Sequence, residues 1–106
     1  MMIARNDPSQ PLKGWYLELT QPSLPAIGFA NHGASESHYH RELREVYLVA
    51  RGTSQMVVDG DEVRLNPGDV IVIEPGESHT FVASSPDYFH FVLHCPAVRG
   101  DKVVLK

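Results

Sequence analysis

The sequence contains few of the features that stabilise a secreted protein or anchor one in a membrane. Among its 106 residues only Cys95 is a cysteine, which excludes an internal disulfide and suits a reducing compartment. Its longest apolar stretches, residues 46–50 and 70–73, are far shorter than the roughly 20 residues that cross a bilayer. The first residues lack the apolar stretch of a signal peptide. We therefore expect a cytoplasmic protein without a membrane partner.

Positive charge is also scarce. Nine Lys and Arg residues against 13 Asp and Glu residues give a formal net charge of −4, and no basic run occurs. Proteins that bind nucleic acid or an anionic membrane surface through charge need such a basic patch. We therefore expect no nucleic-acid partner.

Turn residues recur at short intervals, and this spacing favours an all-β fold. Short runs of β-forming residues are separated by Gly, Pro, Asn and Asp, and no uninterrupted helix is convincing. The pair Asp59-Gly60 between two such runs predicts a type I′ hairpin. The runs at 46–50 and 70–73 predict buried strands, the second buried on both faces.

The length suits one domain with one hydrophobic core. We predict a polar arm over residues 1–14 and a single antiparallel barrel of the jelly-roll type over residues 15–106. Eight or so strands are expected, at residues 15–20, 27–30, 46–50, 54–58, 62–65, 70–73, 79–83 and 88–94.

Two histidines separated by one residue, His38 and His40, are the most informative feature of the chain. In an extended strand they point to the same face, and the residue between them points away. Glu45 and His79 complete a set of three imidazoles and one carboxylate, provided that residues 41–44 bend or bulge to bring Glu45 back beside the histidines. Such a set suits a divalent transition metal: iron, manganese, nickel, cobalt, copper or zinc.

The segment from Gly33 to Gly52 resembles the first motif of the cupin family. In that motif a glycine precedes His-x-His, a glutamate and a second glycine, and here His38, His40 and Glu45 occupy the three inner positions. The leading gap is one residue shorter than in the motif.

The segment from Gly68 to Ala83 resembles the second cupin motif, with Gly68, Gly76 and His79 in register. It departs from the motif at two places, since Pro75 lies one position late and Ala83 replaces an asparagine. Neither departure removes a metal ligand. Two motifs in the right order make this resemblance specific over about half of the chain.

The resemblance implies a double-stranded β-helix, or jelly-roll, with His38, His40, Glu45 and His79 as metal ligands. Residues 36–50 also contain good helix formers, and a helix would place Glu45 on the same face as His38. The same helix would set His38 and His40 about 200° apart, however. A strand is therefore favoured over a helix here, mainly because of the resemblance.

Tyr47 and His94 are the candidate catalytic residues. Tyr47 shares a strand face with Glu45, so we expect its hydroxyl in the cavity beside the metal, where it would orient a substrate or water. The alternative is that Tyr47 only fills the barrel core. His90 and His94 share one face of the last strand, and one of them is a candidate base or fifth ligand. The sequence leaves open whether that face points to the cavity or to solvent.

The ligand set leaves two classes of function open. An octahedral ion with four protein ligands keeps about two positions for water, dioxygen or substrate, whereas tetrahedral zinc is nearly saturated. Cupins include dioxygenases, isomerases, decarboxylases and binding proteins, so the resemblance does not choose among them. We expect a metal-dependent oxygenase or isomerase acting on a small polar molecule; the alternative is a non-catalytic module that binds a small molecule or senses a metal.

The segment Trp15-Tyr16-Leu17 near the amino end is apolar. As an edge strand it would be hard to cover within one barrel, and edge strands are commonly hidden by pairing. We therefore expect a homodimer.

Overall fold

The computed structural model describes residues 1–5, 7, 9–17, 24–33, 35–98 and 100–105, and every regular element among them is a β-strand. The all-β prediction is confirmed, and residues 36–50 form strands and a turn, not a helix. No helix among the described residues is long and apolar enough to cross a membrane. The ten strands are β1 (Lys13–Leu17), β2 (Ala26–Ala30), β3 (His38–His40), β4 (Arg44–Arg51), β5 (Ser54–Val58), β6 (Asp61–Leu65), β7 (Val70–Ile73), β8 (His79–Ser84), β9 (Phe89–Cys95) and β10 (Lys102–Val104).

Two five-stranded antiparallel sheets form the barrel. The first sheet has the order β1-β2-β9-β4-β7, and the second has the order β10-β3-β8-β5-β6. The chain passes repeatedly from one sheet to the other, as in the predicted jelly-roll. Inward-facing residues of both sheets form one core, made of Tyr47, Val49, Met56, Leu65, Ile73, Phe81, Tyr88 and Val92.

The hairpin of β5 and β6 forms at the predicted place. Asp59 and Gly60 have φ values of 47° and 86°, the left-handed conformation that a type I′ turn requires at both positions. The Asp59 carboxylate also accepts hydrogen bonds from the backbone N–H and the hydroxyl of Ser78, at 2.8 and 3.0 Å. These bonds hold the tip of the hairpin against the loop that leads into β8.

Strand β7 corrects the prediction of a strand buried on both faces. Ile73 is buried, but Val70 and Val72 expose 58% and 47% of their surface. The reason is that Val70 and Val72 alternate with Ile73 and point to the outer face of the first sheet, and at the edge of that sheet only β4 flanks them. An apolar run alone does not distinguish a strand covered on two faces from an edge strand covered on one.

The other predicted strands lie within two residues of their expected bounds, except at the two ends of the chain. The first strand was expected at 15–20; β1 spans Lys13–Leu17, and residues 18–20 lie outside the described residues. It begins before the expected boundary between arm and barrel, and that boundary stays a prediction. The sequence did not predict β10, which pairs with β3.

Gly33 and Gly52, the two outer glycines of the first motif, stand where a side chain does not fit. A Cβ atom on Gly33 would lie 1.9 Å from Cγ of Phe81. Gly52 has a φ of 74°, and a Cβ atom there would lie 2.7 Å from Cα of Tyr88. Glycine at these positions therefore lets two loops lie directly against the core.

Asp101 holds the turn between β3 and β4, where the chain leaves the second sheet and enters the first. Its carboxylate oxygens accept hydrogen bonds from the backbone N–H groups of residues 41, 42 and 43, at 3.0–3.1 Å. Asp101 is 6% exposed. Burial raises the pKa of this carboxyl, but the hydrogen bonds outweigh burial and hold the pKa below its ordinary value of 3.8. The carboxylate thus gives acceptors to the amides of residues 42 and 43, while the amide of Arg41 also donates to the backbone carbonyl of Asp101 at 3.2 Å.

Asp101→Asn should destabilise the fold by about 1.5–3 kcal/mol, because the amide turns an N–H₂ donor toward backbone N–H groups that need an acceptor. Since the folded-state pKa of Asp101 is lowered, its stabilisation is present above about pH 4 and is lost as the pH falls through the folded pKa. Urea unfolding at neutral and acidic pH measures both effects. The exposed Asp61 on β6 offers the control Asp61→Asn, and an equal loss of stability in both variants would contradict the role of Asp101.

Candidate metal centre

Three strands bring the four predicted metal ligands together. β3 directs His38 and His40 inward, and both are buried. His79, the first residue of β8, lies directly opposite His38. Glu45 comes from β4 in the other sheet, because the predicted bend is the turn that crosses between the sheets. One ligand atom from each of the four residues lies within 4.8 Å of the others, so they form one cluster that could hold a metal ion.

The Glu45 carboxylate lies at the centre of this cluster. Its Oε1 atom is 2.6 Å from Nε2 of His79, 3.1 Å from Nε2 of His40 and 3.8 Å from Nε2 of His38. Its Oε2 atom lies 2.9 Å from Nε2 of His94. Four imidazoles therefore surround one carboxylate that is only 5% exposed.

Two of the imidazoles are oriented by backbone carbonyls behind them. Nδ1 of His38 lies 2.8 Å from the carbonyl oxygen of Glu36, and Nδ1 of His79 lies 3.0 Å from that of Glu77. Because a carbonyl only accepts, each Nδ1 donates its N–H, and the neutral ring keeps a lone pair on Nε2. That lone pair points into the cluster, as in histidines that bind metals.

The His40 ring is the clearest sign that the cluster suits a cation. It is 6% exposed, yet neither of its nitrogens has a hydrogen-bond partner in the described part of the chain. Its Nε2 approaches Oε1 of Glu45 to 3.1 Å without the geometry of a hydrogen bond. Leaving a buried polar group unpaired costs about 1–3 kcal/mol. A cation coordinated by Nε2 would give one of the two nitrogens a partner and remove that part of the cost.

The types of donor atom agree with this conclusion. Lone pairs on imidazole nitrogens and a carboxylate oxygen repel one another at these distances unless a proton or a metal cation lies among them. Three nitrogens and one oxygen form a borderline ligand set that binds divalent iron, manganese, nickel, cobalt, copper or zinc. The residues present therefore fit a divalent transition-metal ion.

Charge coupling within the cluster also makes it attract protons. Burial raises the pKa of Glu45, but the four histidines around it, of which His79 and His94 lie at hydrogen-bond distance, outweigh burial and hold its pKa far below the ordinary value. Burial lowers the pKa of His79, but the hydrogen bond to Glu45 outweighs burial and raises that pKa. The carboxylate thus stays charged, and protons compete with a metal for His79.

A cavity of about 440 Å³ opens onto the cluster, and both candidate catalytic residues, Tyr47 and His94, line it. Phe81 and His90 line it as well, so the face of the last strand that the sequence left open points inward. Burial raises the pKa of Tyr47 well above its ordinary value and lowers the pKa of His90 to about 4. Both side chains are therefore neutral near neutral pH.

His94 contacts the second oxygen of Glu45. Its Nε2 lies 2.9 Å from Oε2, and the Trp15 ring packs edge-on against the imidazole at 4.9 Å. His94 is not among the four residues whose ligand atoms lie within 4.8 Å of one another. In this geometry His94 therefore contacts the Glu45 carboxylate and also lines the cavity.

The sequence reasoning missed Tyr88, which pairs with the candidate base His90. The hydroxyl of Tyr88 lies 2.7 Å from Nδ1 of His90. Tyr88 is 1% exposed, and burial raises its pKa to about 12. The spacing of two residues was the available signal, because it places both side chains on one face of an extended chain.

Several solved structures share this fold, and three show how far the likeness extends. A variant of the Streptomyces protein Pac13, a nucleoside dehydratase, solved with uridine, has a TM-score of 0.74 at 16% identity over 89% of this chain and 77% of its own. KdgF from Halomonas sp. has a TM-score of 0.66 at 22% identity over 83% and 79%. An uncharacterized protein with a double-stranded β-helix domain from Klebsiella pneumoniae has a TM-score of 0.70 at 22% identity over 97% and 90%. At such identities the likeness concerns the fold alone.

The family model described as "Cupin domain" matches residues 27–95, from β2 to the end of β9. No curated protein matches the chain. The family match includes all four residues of the metal cluster and spans more than half of the sequence. The chain therefore belongs to the cupin family.

Proposed function

We propose that this cupin is a metalloenzyme of the oxygenase or isomerase type that transforms a small polar molecule in the barrel cavity. A divalent transition metal would be held by His38, His40, Glu45 and His79. The observation that carries the proposal is the buried His40 ring, whose nitrogens have no hydrogen-bond partner among the described residues. A metal ion gives that ring a partner and separates the lone pairs of its neighbours.

Four protein ligands leave room for chemistry at the metal. An octahedral ion keeps about two positions for exchangeable molecules when the protein fills four. When bound, such an ion supplies a Lewis acid for a carbonyl oxygen or a site for dioxygen. The cavity of about 440 Å³ lies within the range of roughly 300–1,000 Å³ that is usual for small-molecule sites.

Tyr47 and His94 are the proposed catalytic residues. Since burial raises the pKa of Tyr47, its hydroxyl stays protonated and can donate a hydrogen bond to a substrate oxygen. His94 contacts Glu45 and lines the cavity, so it can exchange a proton with a bound molecule. His90 adds a neutral imidazole to the same wall. Proton carriers beside a cation support the isomerase type, and the fold likeness to Pac13, a nucleoside dehydratase, supports an enzymatic role.

The alternative is a non-catalytic module that binds a small molecule or senses a metal. Four ligands nearly saturate a tetrahedral zinc ion, and a saturated ion offers no position to a substrate. The two functions therefore differ in one measurable property, which is whether the metal has positions that exchange.

His40→Ala should remove most of the bound metal, because the three remaining ligands do not enclose the ion. About one metal ion per chain is expected in the wild type after dialysis, by elemental analysis. His32→Ala removes an exposed histidine outside the cluster and should retain the metal. Wild-type metal content in His40→Ala would refute the site.

Acid should release the metal below roughly pH 6, because protons compete for the imidazoles. The raised pKa of His79 shifts this release toward higher pH.

A small bidentate chelator should bind to the metal without removing it if two positions are open. In the cobalt-substituted protein this binding changes the absorption spectrum at full metal retention, whereas a saturated site shows no change or loses cobalt.

Tyr47→Phe should weaken chelator binding by about 1.5–3 kcal/mol if the hydroxyl donates to the charged ligand. Tyr39→Phe is the matched control, because Tyr39 alternates with His38 and His40 on β3 and is not among the residues that line the cavity. If the chelator leaves the absorption spectrum of the cobalt-substituted wild type unchanged, the binding module is favoured.

We also propose a homodimer. Strand β1 lies at the edge of the first sheet, and its Trp15 is 44% exposed. On the outer face of the same sheet, opposite to the face on which Trp15 lines the cavity, Val70, Val72 and Phe91 are exposed at 58%, 47% and 36%. Pairing of two copies would cover such surface. Light scattering at micromolar concentration should give twice the chain mass of 11.8 kDa, and a mass near 11.8 kDa would overturn the proposal.

A further inference from the structure

We infer that the small molecule taken up by the cavity carries a carboxylate, which Lys13 and Lys102 bind at the rim while an oxygen at the other end of the molecule reaches the metal. This inference rests on the proposed metal function and names the substrate class of the same site. Three observations support this inference: the position of the two lysines in the sheets, the charges of the cavity wall and the distribution of apolar surface along it.

Lys102 lies beside a metal ligand. In the pair of β10 and β3 it stands directly opposite His40. Residues that stand directly opposite each other in an antiparallel pair place their side chains on the same face of the sheet. Because His40 points into the barrel, Lys102 lies on the cavity face of this edge strand, and it lines the cavity.

Lys13 reaches the same cavity from the other sheet. It stands opposite Ala30 in the pair of β1 and β2, and Ala30 stands opposite His90 in the pair of β2 and β9. Lys13, Ala30 and His90 therefore share one face, and all three line the cavity. The two sheets thus each contribute one lysine, from an edge strand, to one opening.

The charges along the cavity wall are opposite to those of the whole chain. The chain has a formal net charge of −4, yet Glu45 is the only acidic residue among the described residues that line the cavity. That carboxylate is surrounded by imidazoles and would be bound to the metal. With a divalent ion present the wall is positively charged, and a cavity with walls of low dielectric constant concentrates such a field on an entering anion.

The existing partner of Lys102 does not prevent this role. Its Nζ lies 3.1 Å from Oε1 of Glu36, and the two side chains are 44% and 55% exposed. An exposed ion pair of this kind contributes about 0–1 kcal/mol, so a ligand carboxylate can compete for the ammonium group. Lys13 is likewise exposed, as a group that receives a ligand at the rim must be.

Several features favour a carboxylate over a phosphate. No arginine is among the described residues that line the cavity, and no helix N-terminus is available among them, although both are frequent phosphate binders. Aromatic side chains, Trp15, Tyr47 and Phe81, line the wall as well. A short carbon chain between an oxygen at the metal and a carboxylate at the rim would contact them.

Two related acids test the inference in the cobalt-substituted protein. Lactate and malate share the same metal-chelating 2-hydroxy acid group, and malate adds a second carboxylate at the far end. Binding is followed by the absorption spectrum at full cobalt retention, and the readout is the ratio of malate affinity to lactate affinity. We expect a ratio of about five or more in the wild type, since each lysine contributes roughly two- to fivefold.

The variants assign this preference to the two lysines. In the double variant Lys13→Gln/Lys102→Gln the ratio should fall close to one, and each single variant should lie between. Arg64→Gln removes the same charge from an exposed position on β6, at the opposite edge of the second sheet from β10, and should keep the wild-type ratio. 3-Phosphoglycerate, which keeps the 2-hydroxy acid group and carries a phosphate at the far end in place of the second carboxylate, should bind less tightly than malate.

Two outcomes overturn the inference alone. One is a wild-type ratio near one while lactate still changes the cobalt spectrum; the other is a wild-type ratio that persists in the double variant. Tighter binding of 3-phosphoglycerate than of malate would also overturn it in favour of a phosphate site. If the wild type takes up no cobalt, the proposed metal function itself fails, and that result is recognised before any acid is added.

Discussion

The burial of one carboxylate is the constraint on which the rest of this structure depends. A charge inside a barrel is strongly unfavourable unless cations or hydrogen-bond donors surround it, and Glu45 is only 5% exposed. The chain meets this constraint with imidazoles from β3, β8 and β9, all directed at the two oxygens of one side chain. Such an assembly attracts protons or a metal ion, because either one separates its lone pairs. The same cluster therefore determines both the affinity for a metal and the stability of the barrel interior.

The two ends of the described chain build the surroundings of this buried centre. Trp15 on β1 packs against His94, and Asp101 just before β10 holds the turn that carries the chain from His40 to Glu45. Both strands are sheet edges. The ligands thus stand on central strands with partners on both sides, whereas Lys13, Trp15 and Lys102 line the cavity from edge strands. This division gives a rigid centre and a more adaptable rim, which suits a site that must hold one ion and admit a separate molecule.

Much of the fold and of the cluster can be predicted from local patterns in the sequence. The alternation of strand residues places His38 and His40 on one face, and turn residues mark the strands and the Asp-Gly hairpin. What escaped prediction depends on contacts between distant segments. Asp101 binds amides about 60 residues earlier in the chain, and a carboxylate near the end of a sequence gives no sign of such a partner. The exposure of β7 depends on its place at a sheet edge, which its apolar residues do not reveal. The inward direction of His94 likewise needed the register of β9 against β4.

The protonation states around the cavity link the cluster to its proposed substrate. Burial keeps Tyr47 and His90 neutral near neutral pH, so the wall beside the cluster offers hydrogen bonds without a second negative charge. Glu45 is the one acidic group among the described residues there, and its charge is already engaged by imidazoles. An acidic wall would repel an anion and would also bind stray cations in place of a substrate. A wall with neutral donors at the centre and ammonium groups at the rim would instead leave a bound metal as the strongest interaction for an oxygen atom. A molecule that chelates a bound metal through two oxygens at one end and carries a carboxylate at the other would be held at both ends, with its chelating end at the metal.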